Sequence, residues 1–179
     1  DPARMCTVDP MHNIWLGTGR TVLNIFKETG GPLESELVGI KMQKRMDSMG
    51  IPRDIGRVLS KFNIGSYNLK AEEMKNFTNI FSEILLDEVL SKEQYDMWMA
   101  FVRASRLISS RVLTDTMLND ADSEFVKFGN LFVGLYTSRR ATTNMHMHLH
   151  LSEIVRDFGP VYGLWCFGFE RYKLAFWER

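Results

Sequence analysis

From Met11 onward the apolar residues recur at helical intervals. Met11, Ile14, Trp15, Thr18, Val22, Ile25 and Phe26 fall on one stripe of a 3.6-residue period. Asp9-Pro10 heads this stripe as a cap followed by proline at the first helical position, and Gly30-Gly31-Pro32 ends it. Before it, the short apolar run Arg4 to Val8 is a candidate buried strand, which would put Asp9 at a strand-to-helix junction. Glu34 to Met49 predicts a second, more polar helix closed by Gly50. A third runs from a cap at Asn68 to about Leu90 and turns Met74, Phe77, Phe81, Ile84 and Leu85 inward. Ser91-Lys-Glu-Gln94 is a capping box. The helix it opens carries Trp98, Phe101, Val102, Ile108 and Val112 inward, with Arg103 and Arg106 together on another face. A further helix begins in the acidic run Asp115 to Glu124 and takes Phe125, Phe128, Phe132, Leu135 and Tyr136. These stripes are core signatures, and they make the middle of the chain an α-helical bundle.

The last third reads differently. Thr137 to Thr143 is a polar, basic loop, and Asn144 opens the alternation Met-His-Met-His-Leu-His. Ser152 to Phe158 is a short helix broken by Gly159-Pro160, and a final helix starts near Val161 to Leu164. On that helix Phe167, Glu170, Leu174 and Trp177 share one stripe, while Trp165, Phe169, Tyr172 and Phe176 form another. Glu170 is thus a carboxylate inside an apolar stripe, where it needs a cation, a proton or a wet cleft.

A chain of 179 residues is long enough for one domain with a sizeable core. No apolar run approaches membrane-spanning length. The 22 basic and 22 acidic residues cancel, so any contact with nucleic acid must come from a local patch. The candidate is Lys41 to Lys61, where Lys41, Lys44, Arg45, Arg53, Arg57 and Lys61 outnumber Asp47 and Asp54. It is either a solvated face or a phosphate-backbone contact. Cys6 and Cys166 form no CxxC and argue against a disulfide scaffold. Cys166 reads as a core residue between Trp165 and Phe167, with a Cys/His nucleophile site the weaker alternative. Asp1 is not an initiator methionine and the chain closes on an aromatic helix, so both ends are expected to belong to something larger.

Three features could carry chemistry. His146, His148 and His150 point the same way if their segment is extended, and could then hold a zinc ion with an open fourth position. If it is helical, His146 and His150 share a face and His148 leaves it. Asp9 with His12 one turn later is either a helix cap or a carboxylate–imidazole pair able to bind a divalent ion and position a phosphate. Glu170 is the third.

Together these residues resemble a known family. Asp9-Pro-Met-His12-Asn13 is similar to the DxxH motif of CACTA-type (En/Spm-like) transposases. The stretch from His148 through Gly159-Pro-Val161 and the aromatic run to Phe169-Glu170-Arg171-Tyr172 is similar to that family's C-terminal block. The resemblance spans nearly the whole chain, and the long C-terminal block is its more specific part. It implies a DDE/D nuclease on an RNase H-like α/β fold, with three carboxylates holding two Mg²⁺ or Mn²⁺ ions. Asp9 is similar to the second acid and Glu170 to the third, with His12 beside the metals. Residues 1–30 and 144–179 would be core elements and 31–143 a helical insertion, all within one domain. The implied chemistry is water attack that nicks a transposon end, then attack of the freed 3′-hydroxyl on target DNA, in the nucleus. Formation of a homo-oligomer is left open.

The chain departs from the family pattern at the first acid, which lies well upstream of DxxH; only eight residues precede Asp9. Asp1 cannot replace it, because an extended Arg4–Val8 run would hold it some ~27 Å away. Two alternatives stand beside the nuclease. One is a non-catalytic, transposase-derived helical interaction module in which Glu170 pairs with Arg103 or Arg106. The other is a mononuclear zinc hydrolase using His146, His148 and His150.

Overall fold

The computed structural model describes residues 7–52, 55–56 and 69–168. Every regular element among them is helical, and the protein is a helical bundle. A π-helix, Met11–Gly19, runs straight into α1 (Arg20–Lys27). Then come α2 (Glu36–Asp47), α3 (Ala71–Asn76), a π-helical turn Phe77–Phe81, and α4 (Ser82–Leu86). The two long helices are α5 (Lys92–Ile108) and α6 (Asp115–Tyr136). Beyond them α7 (Thr143–Met147), a 3₁₀ turn His148–His150 and α8 (Leu151–Phe158) follow nearly end to end, and Val161–Gly163 forms one more 3₁₀ turn. Arg4, Met5 and Cys6 of the expected strand lie outside the described residues, as do the Asn68 cap and the last helix from Phe169 on, with Glu170.

The long helices start where their caps dictate. Ser91 Oγ accepts the Gln94 amide at 3.2 Å while Gln94 Oε1 accepts the Ser91 amide at 3.1 Å, the reciprocal pair expected from the sequence. Thr114 Oγ1 accepts the Met117 amide at 3.2 Å, placing the start of α6 at the front edge of the acidic run. Gly159 ends α8 in the left-handed region (φ 90°), and Pro160 cannot continue the helix. Against these, Thr137 closes α6 at φ 70°, ψ 156°, a backbone state that a β-branched residue adopts only under strain.

The core lies between α5 and α6 and reaches back to the first helix. Trp98 touches Phe26, Phe77 and Phe101, with ring centroids 5.4–6.5 Å apart. Phe101 meets Phe128 at 5.3 Å, and Phe128 meets Phe132 at 5.9 Å. These tilted geometries suit the ring quadrupoles. The buried polar tip of Trp98, Nε1, donates to Ser82 Oγ at 2.9 Å, and that hydroxyl donates to the Thr78 carbonyl. Burying the indole therefore leaves no unmet donor there.

Three inward assignments are corrected. Ile84 is half-exposed and Ser82 and Leu86 are buried instead. The π turn at Phe77–Phe81 adds a residue to the helical repeat and rotates everything after it. Val112 is 77% exposed because α5 has already ended at Ile108. Leu135, near the end of α6, also faces out. The extended reading of Asn144–His150 gives way to a helical one.

Candidate functional site

Asp9 is where the two ends of the described chain meet. Its carbonyl accepts the Asn13 amide at 3.0 Å and its carboxylate Oδ1 accepts the Met11 amide at 3.0 Å, so it caps the turn that Pro10 begins. The same Oδ1 also accepts the amide of Cys166, 157 residues on, at 3.2 Å. Oδ2 is bonded to His12 Nδ1. One carboxylate thus holds the helix start, the imidazole one turn later and the backbone of the C-terminal block. Asp9 keeps 19% of its side-chain surface and His12 54%, so the pair faces an accessible edge. Oδ1 has both lone pairs engaged; Oδ2 retains one directed away from His12.

A seam of polar side chains continues inward from this point. Asn13 Nδ2 donates to the Asn144 carbonyl at 3.1 Å. About one turn later, Gly17 lets the two segments approach closely. A Cβ on Gly17 would fall 2.3 Å from Asn144 Nδ2 and 2.6 Å from the His12 carbonyl oxygen. Deepest in the seam, Thr18 Oγ1 lies 3.1 Å from His148 Nε2, and both residues are buried.

His148 is 1% exposed and is enclosed by Phe125 (4.5 Å), Phe101 (5.8 Å) and Phe128 (6.2 Å). Burial pushes its pKa down to about 3; the Asn13 carbonyl favours the proton, but by less. The ring is neutral, Nδ1 has no partner of standard hydrogen-bond geometry, and with the proton on Nδ1 the Thr18 hydroxyl donates to Nε2. His146 and His150 sit on the other side, their rings edge to face at 5.3 Å, with His150 Nδ1 3.2 Å from Glu153 Oε2. The three histidines do not converge. Helical geometry separates the middle one by about 100° per residue, and its ring is spent in the core.

Among the described residues, no group of three His, Cys, Asp or Glu side chains could hold a metal ion. Asp9 supplies one carboxylate oxygen with spare capacity; Glu170 lies outside the described residues. Of the basic stretch, Lys41 Nζ and Arg45 Nη1 both reach Glu88, at 2.8 and 3.5 Å, and Lys44 is exposed. Arg53, Arg57 and Lys61 lie outside the described residues. Arg103 and Arg106 already have carboxylates: Glu124 grips Arg103 through two 3.0 Å bonds, and Glu83 lies 2.8 Å from Arg106 Nη2.

Aromatic rings cover the outer flank of the Asp9 junction. Trp15 meets Trp165 at 6.1 Å and Phe167 at 5.8 Å, and Trp165 meets Phe167 edge-on at 5.1 Å. Lys75, from α3, places its ammonium 4.7 Å from the Trp165 ring centre, 5.5 Å from Phe167 and 5.9 Å from Trp15. Nothing in the sequence singled out Lys75, since one lysine in a charged helix is unremarkable. Thr18 did leave a trace, as a hydroxyl inside an apolar stripe.

Comparison of the chain with protein-family models, with curated proteins and with solved structures gives no match. The functional reading therefore rests on these residues and their geometry.

Proposed function

We propose that the chain is a segment of a DDE/D-type DNA transposase catalytic domain, in which the two end blocks contribute to one site. The observation that supports this is the bond from Cys166 to the Asp9 carboxylate. It joins the two stretches that carry the family resemblance, 157 residues apart in the chain. In the proposed arrangement, residues 1–30 and 144–179 belong to an RNase H-like core and 31–143 form the helical insertion. Asp9 contributes through Oδ2, the oxygen with a lone pair to give. His12 fixes the orientation of that oxygen and sits where a scissile phosphate would be held. Glu170 and an acid upstream of Asp1 complete the set, and two Mg²⁺ or Mn²⁺ ions would then supply nucleophile activation and charge neutralisation. The substrates are transposon ends and target DNA, which places the protein's work in the nucleus.

The second reading, a non-catalytic helical interaction module, is favoured by a different observation. Asp9 Oδ1 is taken up wholly as a helix cap and interblock tie, so the position of this acid has a structural reason of its own. The two are separated by Mg²⁺- or Mn²⁺-dependent nicking of end-containing DNA by the protein with its upstream sequence included. Asp9→Asn and Glu170→Gln are each expected to reduce nicking at least about a hundredfold while leaving the helical circular dichroism intact. Equal nicking by all three proteins removes these acids from the chemistry.

A further inference from the structure

Beside the Asp9 junction is a cleft of about 470 Å³ lined by Lys75, Ser109, Arg111, Tyr162 and Trp165. Its size falls within the range of small-ligand sites. Two of its five lining residues are cations and none is an acid. Among the described residues, neither Lys75 nor Arg111 has a carboxylate within ion-pairing distance; Lys75 is held instead over three aromatic ring faces. Burial lowers the Lys75 pKa most; Glu72 raises it, and the charge of Arg111 lowers it further. An anion seated between the two cations would relieve both the burial and the mutual repulsion.

The remaining walls narrow the chemistry. Tyr162 lines the cleft, is 45% exposed and forms a T-shaped pair with Trp165, 6.4 Å between centres, so it offers the cleft an accessible aromatic side chain. Ser109 Oγ donates its proton to the Ser105 carbonyl at 2.6 Å. Asn79 Nδ2 also donates to it at 3.4 Å, so it can offer a ligand its remaining lone pair and not a proton, which suits a hydroxyl or amino group better than a bare phosphate.

We propose that this cleft binds a nucleotide unit, with its phosphate between Lys75 and Arg111 and its base stacked on Tyr162. The unit comes from a free mononucleotide or from a single strand, and the two share this chemistry. The assignment goes beyond the nuclease reading and stands without it, since binding needs neither metal nor cleavage.

The test uses fluorescence anisotropy of a labelled short oligothymidylate, in magnesium-free buffer, with competition by thymidine monophosphate, thymidine and inorganic phosphate. Thymidine monophosphate should compete, while thymidine and phosphate should each do so at least about tenfold less well. Arg111→Gln and Tyr162→Ala, both at exposed positions, should each weaken oligothymidylate binding about tenfold. Lys75→Met keeps an apolar stem on the rings and should do the same. If the mononucleotide matches the oligonucleotide in affinity, the free nucleotide is the ligand; if the oligonucleotide binds far more tightly, the strand is. Absence of binding, wild-type affinity in the Arg111 and Tyr162 variants, or equal competition by inorganic phosphate overturns the assignment. Absence of metal-dependent nicking by the unmutated protein, with this binding intact, would count against the nuclease reading alone.

Discussion

Between α5 and α6 the contact runs through buried rings, Phe101 on Phe128, with the Arg103–Glu124 ion pair at its rim. Between the first helix and residues 144–167, beside the rings of Trp15, Trp165 and Phe167, runs a polar seam made by Asp9, Asn13, Gly17, Thr18, Asn144 and His148. The first contact is held by area removed from water and tolerates small errors of position. The second is held by directional bonds and one bare backbone, and it tolerates few. Dry packing supplies stability, whereas the polar seam specifies how two remote pieces of chain are aligned.

Breaking the dry side has the largest expected effect. Phe128→Ala removes a fully buried ring and should cost about 3–5 kcal/mol in chemical denaturation, melting both regions together. The seam is tested next through His148. Its unfolded form takes a proton near pH 6.5, while the folded form resists until about 3. The unfolded state therefore binds more protons below pH 6.5, and stability falls as pH falls through that window. The expected loss is about 2 kcal/mol between pH 8 and pH 5. The difference between wild type and a Thr18→Val/His148→Phe protein isolates it from the carboxylates, and identical pH profiles would contradict the neutral buried ring. Gly17→Ala should have the smallest effect, roughly 1–2 kcal/mol, because the Asn144 side chain and the His12 carbonyl must both shift. Its signature is faster hydrogen exchange in residues 143–150 with α5 and α6 unchanged.

The same contrast explains what could be read in advance. Ser91, Gln94, Phe101, Phe128 and Phe132 announce their roles because caps and helical stripes are local patterns. Ile84 was misassigned because a π turn changes the repeat without any marker residue. His148 was ambiguous, because alternation with Met and Leu fits a strand as well as a helix, and only the Phe101–Phe125–Phe128 pocket decides it. Asp9 was legible as a cap. Its tie to Cys166, and the Lys75–Arg111 cleft, depend on contacts across most of the chain, to which no periodicity points.

The Asp9–Cys166 bond also has a consequence in time. Joining residues 157 apart directly from an open chain costs about 2 kcal/mol more entropy than joining Arg103 to Glu124, which are 21 apart. The intervening helices must therefore assemble first and bring the ends within reach, so the Asp9 junction closes late and opens early. Mutations there are expected to quicken unfolding while leaving the folding rate nearly unchanged, and a loosened bundle would lose the alignment of its two ends before it loses its core.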